Sequence, residues 1–234
     1  MASTVEIEAH VMGHPKDGAQ EGHHGQLGAC PFSHRVLLIL EEKQIPYVTN
    51  FVDGSNKPAW VTKANPKGTL PIIKDRSLDQ FIVDSDTISD YLEEKYGNDE
   101  EADQKPKLGK VASLPHPGND LMCTFMEYLK SSGDGAAEKD QLKEELKAIN
   151  DAVNDSHPFM GGETVNAWDL ALAPRLHIAR TACRDIKGWD FADDFEEVKS
   201  YLHRMTGRPS WRNTASYDDE AIVADLRAKL SKSS

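Results

Sequence analysis

The sequence predicts an α/β domain followed by an all-helical domain. Strand and helix patterns alternate in the first half of the chain, and a stretch rich in Gly, Pro and charged residues then interrupts them. Beyond this stretch every apolar periodicity is helical. We therefore place the α/β domain at residues 1–97, a linker at residues 98–118 and the helical domain at residues 119–234.

Four strands and two long helices are predicted in the first half. The strands cover residues 4–12, 47–52, 70–73 and 81–83, the helices cover residues 31–43 and 85–96, and a short helical or irregular segment begins at residue 57. Residues 13–29 are rich in Gly and polar residues, which predicts a loop. Pro46 ends the first helix because proline cannot continue the hydrogen-bond ladder.

Helical spacing dominates the second half. The apolar residues that step by four, three and four positions are Leu142, Leu146, Ile149 and Val153. This spacing places them on one face of a long helix. Asn166 followed by Asp169 is typical of a capping box and predicts the start of the next helix. Two further helices are predicted over residues 194–206 and 218–231.

The composition is that of a globular chain and disfavours two classes of partner. With 234 residues, of which 38% are hydrophobic, the chain can bury a core without disulfides or metals. Its 39 acidic residues against 27 basic ones give a formal net charge of −12, which disfavours nucleic acid and anionic membranes. No run of 18 apolar residues predicts a transmembrane helix. We expect no nucleic-acid partner, no membrane partner and a monomer.

The N-terminal residues and the cysteines indicate a reducing compartment. The first residues lack the basic and apolar regions of a signal peptide and are too acidic for a transit peptide. Cys30, Cys123 and Cys183 are odd in number and widely spaced, which argues against a disulfide framework. We interpret Cys123 and Cys183 as buried structural thiols and expect a cytoplasmic protein, with a chloroplast location if a precursor is cleaved before Met1.

Cys30 is the residue most suggestive of chemistry. Pro31 suits the first turn of a helix, so Cys30 should lie at a helix N-terminus, where the dipole and unpaired N–H groups favour the thiolate. Arg35, one turn further, would add positive charge. Ser33 stands where a dithiol motif has its second cysteine, so an oxidised Cys30 needs an external thiol. The alternative is a buried structural cysteine before a helix.

The segments around this cysteine resemble a known family. They are Cys30-Pro31-Phe32-Ser33 and residues 35–38, 40–43, 46–47, 53–60, 66–74, 84–86, 92–96 and 169–176. Together they resemble the dehydroascorbate reductases of plants and algae, a glutathione transferase class close to the omega class and the chloride intracellular channel proteins. The resemblance implies the glutathione transferase fold, a thioredoxin-like domain followed by an all-α domain.

The resemblance also implies a glutathione site around the nucleophile Cys30. Its implied glutathione-binding residues are Lys57, Leu70, Pro71, Asp84 and Ser85. Leu70, before the family's cis-proline Pro71, would pair with the cysteinyl part of glutathione. Ser85, with Asp84 beside it at a helix N-terminus, would hold the γ-glutamyl carboxylate. Lys57 would meet the glycyl carboxylate. Alternatively these residues are a strand-entry turn, a helix cap and a surface lysine.

The substrate pocket is less well defined by the sequence. The candidate substrate contacts are His10, Phe32 and His177. Ala29 stands where the plant enzymes have an aspartate, and His10 is the nearest match to the family's lysine on the first strand. His177 lies one position from a histidine attributed to the ascorbate pocket. Alternatively, His10 is a surface or turn residue without a role in substrate binding.

The implied activity is glutathione-dependent reduction of dehydroascorbate to ascorbate, which supports ascorbate recycling and antioxidant defence. A ping-pong mechanism through a sulfenic acid and a glutathione mixed disulfide at Cys30 is expected. Glutathione is then a co-substrate, and no bound cofactor and no metal are expected. The alternatives are an omega-like thioltransferase, a membrane-inserting protein like the chloride intracellular channels, and a glutathione carrier without turnover.

Overall fold

The computed structural model describes residues 5–97 and 106–231. Its contacts divide the chain into two compact units. The first comprises Met1–Ser113 and Pro209–Tyr217, and the second comprises Leu114–Arg208 and Asp218–Ser234. A late segment of the chain thus belongs to the first unit. The domain limits at residues 97 and 119 stay a prediction, and residues 98–105 of the predicted linker lie outside the described residues.

The first unit is built on a mixed sheet. Its elements up to residue 97 are β1 (Ile7–Pro15), β2 (Glu21–Gly22), β3 (Gly25–Leu27), α1 (Pro31–Glu42), β4 (Tyr47–Asp53), α2 (Ala59–Ala64), β5 (Ile72–Asp75), β6 (Gln80–Val83) and α3 (Ser85–Tyr96). β1 is parallel to β4 and antiparallel to β5, which pairs in turn with β6. The central strand β1 therefore leads towards α1, which follows Cys30.

The prediction of a loop over residues 13–29 was wrong for residues 13–15, 21–22 and 25–27, which are strands. β1 continues to Pro15, β3 pairs antiparallel with its end, and β2 pairs with β4. The glycines that suggested a loop lie where two strands come close. A Cβ on Gly13 would lie 2.4 Å from the carbonyl oxygen of Gln26, and one on Gly25 would lie 2.4 Å from that of His14. These glycines therefore permit close backbone approach within a sheet.

The two faces of β1 carry different side chains because strand residues alternate in direction. Ile7, Ala9 and Val11 are fully buried. His10 belongs to the opposite face and contacts Trp60 of α2. On that side Val61 of α2 packs with apolar residues of β4 and β5.

The remaining elements are helical, apart from short turns. They are α4 (Leu121–Lys130), α5 (Ala136–Ala152), α6 (Ala167–Lys187), α7 (Glu196–Thr206), α8 (Pro209–Thr214) and α9 (Asp219–Ser231), of which α8 belongs to the first unit. α5 buries Leu142, Leu146 and Ile149, as the spacing predicted. The capping box of α6 is confirmed, since Asn166 accepts the N–H of Asp169 and donates its own N–H to that carboxylate.

A buried lysine at the end of α1 holds the chain beyond α3. Lys43 is fully buried. Its ammonium lies 2.7 Å from the Glu93 carboxylate and donates to the carbonyl of Pro106 at 3.2 Å. The same carboxylate accepts the N–H groups of Leu108 and Gly109. One buried ion pair therefore fixes α1, α3 and residues 106–109 to one another.

Candidate active site

Cys30 lies at the N-cap of α1, directly before Pro31, as the sequence predicted. Its residue surface is 9% exposed. Its N–H donates to the carbonyl of Gly28 at 2.6 Å, and its carbonyl accepts the N–H of His34 at 3.2 Å. The thiol therefore belongs to a backbone fixed on both sides, at the helix end that favours negative charge.

Both backbone groups of Met12 on β1 hold the chain around Cys30. The Gly28 N–H donates to the Met12 carbonyl at 3.0 Å, and the Met12 N–H donates to the Ser33 hydroxyl at 3.0 Å. Ser33 is fully buried. The residue in the second position of the dithiol motif is therefore an anchor between α1 and the central strand.

The turn before β5 brings together three of the predicted glutathione-binding residues. The Leu70–Pro71 peptide bond is cis, as the resemblance implies. The ammonium of the exposed Lys57 donates to the carbonyl of Gly68 at 2.8 Å. Gly68 has φ +63°, a conformation that favours glycine. Lys57 is thus placed beside the turn that leads to the cis bond.

The N-terminus of α3 is partly occupied by the chain's own carboxylate. Asp84, with φ +73°, accepts the N–H groups of Asp86 and Thr87, both at 3.1 Å. Ser85 is buried next to this cap. A bound carboxylate at this helix end would therefore meet Ser85 rather than the N–H groups that Asp84 already binds.

Arg35 contacts the N-terminus of α3. Its guanidinium donates to the Ser85 hydroxyl at 3.4 Å and forms an ion pair with Asp86, and the effect of its charge on Cys30 stays a prediction. The side chain is 1% exposed, and its Nε and Nη2 have no hydrogen-bond partner within the described residues. Asp86 balances the charge of the guanidinium, so Arg35 acts beside Ser85 as a buried hydrogen-bond donor.

His10 supports the segment before Cys30. It is buried, and its Nδ1 lies 2.7 Å from the Glu21 carboxylate, which also accepts the Trp60 indole N–H at 2.8 Å. Burial lowers the pKa of His10, although Glu21 acts in the opposite direction. Glu21 fell within the predicted loop, so no pattern indicated that His10 and Glu21 would pair. The role of His10 in substrate binding stays a prediction.

Acidification is expected to destabilise the protein through His10. The unfolded residue takes up a proton near its ordinary pKa of about 6.5, whereas the folded one resists protonation. The stability that neutral His10 contributes is therefore fully present above the unfolded pKa. It is lost as the pH falls below that value towards the lower pKa of folded His10. His10→Gln should therefore flatten the decline in urea midpoint between about pH 7 and pH 5. Exposed His24→Gln should keep the wild-type slope, and an unchanged slope in His10→Gln would contradict the assignment.

The other two candidate substrate residues lie in different units. Phe32 is 40% exposed on the first turn of α1, close in sequence to Cys30. His177 is on α6, where its Nε2 lies 3.9 Å from Asp219 and burial lowers its pKa. The structure therefore brings Phe32 together with Cys30 on one helix, and the role of His177 stays a prediction.

The remaining cysteines differ from each other. Cys183 is fully buried on α6, as predicted, and burial raises its pKa to about 12. The prediction that Cys123 is buried was wrong. It is exposed on α4 with its Sγ 3.7 Å from Glu127, whose negative charge raises the pKa of the thiol. Both surroundings oppose the thiolate.

Neither a metal cluster nor a membrane-spanning helix is found in the described part of the chain. Across residues 5–97 and 106–231, no three His, Cys, Asp or Glu side chains are grouped to hold a metal ion. Within the same ranges, no helix combines the length and apolar character needed to cross a bilayer. The expected lack of a metal and of a membrane partner stays a prediction.

Comparison with known proteins places this chain in a family. A model of the glutathione S-transferase N-terminal domain matches residues 29–95. The chain is 37% identical over 205 residues to chloroplastic glutathione S-transferase DHAR3 of Arabidopsis thaliana, covering 88% of this chain and 76% of that protein. It is 34% identical over 205 residues to the probable cytosolic glutathione S-transferase DHAR1 of Oryza sativa subsp. japonica, covering 88% and 92%.

The fold agrees with these sequence matches. The crystal structure of Chlamydomonas reinhardtii dehydroascorbate reductase matches with a TM-score of 0.82 and 31% identity, covering 97% of this chain and 99% of that chain. The predicted fold class, a thioredoxin-like domain followed by a helical one, is confirmed. By sequence identity and by fold, this chain belongs to the dehydroascorbate reductase class of the glutathione transferase family.

Proposed function

We propose that Cys30 is the nucleophile with which this chain reduces dehydroascorbate to ascorbate, glutathione being the reductant. Glutathione-dependent dehydroascorbate reduction is the activity that the family relationship assigns to the chain. The assignment to Cys30 rests on its position at the N-cap of α1, since Cys123 and Cys183 lie where the thiolate is disfavoured. The activity supports ascorbate recycling.

The proposed reaction has two half-reactions. The Cys30 thiolate attacks dehydroascorbate, and with one water the adduct yields the ascorbate anion and a sulfenic acid at Cys30, so that sulfur loses the two electrons that ascorbate gains. The thiol of one glutathione displaces this hydroxyl as water and forms a mixed disulfide. The thiolate of a second glutathione attacks the glutathione sulfur, which releases oxidised glutathione and the Cys30 thiolate. Ping-pong kinetics are expected.

The proposed glutathione site uses three features of the first unit. Leu70, before the cis bond, offers its backbone to the cysteinyl part. Ser85, backed by the buried Arg35, receives the γ-glutamyl carboxylate, and Lys57 receives the glycyl carboxylate. The Arg35 contact supports this arrangement, because the buried guanidinium donates to the Ser85 hydroxyl and helps to hold it at the end of α3.

The test is the rate of ascorbate formation from dehydroascorbate and glutathione, followed by ascorbate absorbance. In parallel, release of glutathione from a glutathionylated peptide measures thioltransferase activity with the same cysteine. We expect a higher kcat/KM with dehydroascorbate. A clear preference for the mixed disulfide would assign the chain to omega-like thioltransferase chemistry instead.

Lys57→Met is expected to raise the KM for glutathione by about tenfold, because a charge-assisted contact to a carboxylate is lost. The KM for dehydroascorbate should change much less. Lys63→Met removes an equally exposed lysine on α2 and is the matched control. If both variants bind glutathione like the wild type, Lys57 is a surface lysine only.

Three finer statements belong to the same proposal. Glutathione is a co-substrate in this family, and we propose that no further cofactor is bound. We propose that the protein is a monomer. Size-exclusion chromatography with light scattering tests this statement. The relatives include chloroplastic and cytosolic proteins, and we propose the cytoplasm for this chain, with fractionation as its test.

A further inference from the structure

Pro209–Tyr217, which we call the C-terminal strap, is separated from the rest of the first unit in sequence but belongs to it in space. Its helix α8 packs against α1, the helix that Cys30 caps. Trp211 is buried there with its ring centroid 4.5 Å from that of His34. The strap therefore covers part of α1 with an apolar contact, and its polar side chains reach both ends of that helix.

Two strap contacts lie on either side of Cys30. The Leu27 N–H, three residues before Cys30, donates to the Ser216 hydroxyl at 2.9 Å. His34, four residues after Cys30, donates its own N–H to the Cys30 carbonyl, while its ring is held by the strap. The strap is thus hydrogen-bonded both to the strand before Cys30 and to the first turn of the helix after it.

The hydrogen bonds of the His34 ring are mutually consistent. His34 is fully buried, with Thr214 Oγ1 at 2.9 Å from Nε2 and Tyr217 Oη at 2.8 Å from Nδ1. The Thr214 hydroxyl donates to the carbonyl of Ser210, so it accepts from an Nε2–H. Nδ1 is then the acceptor of the Tyr217 hydroxyl proton. The two hydroxyl groups that contact the ring nitrogens, those of Thr214 and Tyr217, both belong to the strap.

The strap is also attached at the far end of α1. The Asn213 amide donates to Glu41 at 2.8 Å, and the Ser210 hydroxyl donates to Glu42 at 2.5 Å. These contacts attach the same segment to the same helix, but about three turns from the thiol. A variant that loses one of these contacts weakens the docking of the strap but keeps the contacts on either side of Cys30.

We propose that the strap is a positioning device for the nucleophile. Through Ser216 and Tyr217 it fixes the backbone on both sides of Cys30, and so holds the thiol in its reactive geometry. The expected effect of the strap on catalysis rests on the function proposed above. Displacement of a reacting group by about 1 Å can cost a hundredfold in rate, so loss of either contact should slow the chemical step.

The decisive variants are Ser216→Ala and Tyr217→Phe in the full-length chain. We expect each to lower kcat for dehydroascorbate by about tenfold while the KM for glutathione stays within about twofold. Ser216→Thr keeps the hydroxyl at an exposed position and should restore kcat. Two matched controls should keep kcat. Asn213→Ala lies at the far end of α1, and Tyr96→Phe loses a part-buried hydroxyl bond to Glu6.

Amide hydrogen exchange tests the positioning independently of any activity. Peptides that cover residues 25–34 should exchange faster in Ser216→Ala and Tyr217→Phe than in the controls, at matched urea midpoints. If the wild type reduces no dehydroascorbate, the proposed function fails, and exchange alone decides whether the strap orders this region. Equal kcat and equal exchange in all variants would overturn the proposal and leave the strap a structural element only.

Discussion

Cys30→Ser is expected to lower glutathione-dependent dehydroascorbate reduction by at least about a thousandfold, because the serine hydroxyl cannot form the sulfenic acid or the mixed disulfide. Ser and Cys differ little in size, and Cys30 is held through its backbone N–H and carbonyl. The fold should therefore be retained. The measurement is kcat from initial rates, and mass spectrometry after oxidised glutathione should show no adduct at residue 30.

Cys123→Ser is the matched control for this result. Cys123 is exposed, is not disulfide-bonded and lies on α4 of the second unit, so its replacement should leave kcat unchanged. Substantial activity in Cys30→Ser, or its loss in Cys123→Ser, would show that the nucleophile has been misidentified.

Lys43→Met is expected to lower the free energy of unfolding by about 3–5 kcal/mol, the usual effect of leaving one member of a buried ion pair alone. The Glu93 carboxylate would lose its counter-ion and, among the residues that the structure describes, keep the N–H groups of Leu108 and Gly109. Methionine fills a similar space, so the loss reports charge rather than volume. Urea unfolding followed by fluorescence and circular dichroism measures it.

Lys147→Met is the control for this second result. Its partner Asp151 lies one turn away on the exposed face of α5, and such pairs contribute about 0.3–0.5 kcal/mol. The double variant Lys43→Met/Glu93→Gln should be more stable than Lys43→Met alone, because it removes the unpaired charge. A loss below about 1 kcal/mol in Lys43→Met would mean that water compensates the carboxylate.

Local patterns predicted those parts of the molecule that depend on local physics. The position of Cys30 before Pro31 follows from the geometry of a helix end, and the Asn166 capping box follows from a spacing of three residues. The face of α5 follows from helical periodicity. In each case the contacts that decide the structure join residues that are close together in the sequence.

The features that the sequence did not reveal depend on contacts between distant residues. Gly13 and Gly25 signalled a loop because the same residue type serves turns and close strand pairs. Arg35 contacts Ser85 and Asp86, which lie 50 and 51 positions further along the chain. Cys123 is exposed because the buried face of α4 is formed by Leu121, Phe125, Tyr128 and Leu129. The Ser216–Leu27 bond joins residues 189 positions apart.

The strap also bears on how the protein is made. A ribosome synthesises residues 1–113 well before Trp211, Ser216 and Tyr217 exist, although domains generally fold from the N-terminus during synthesis. Until then, His34 lacks both hydroxyl partners and the Leu27 N–H lacks its acceptor. The surroundings of the Cys30 thiol are therefore among the last parts of the nascent chain to be completed, and a fragment that ends at the linker cannot reproduce them.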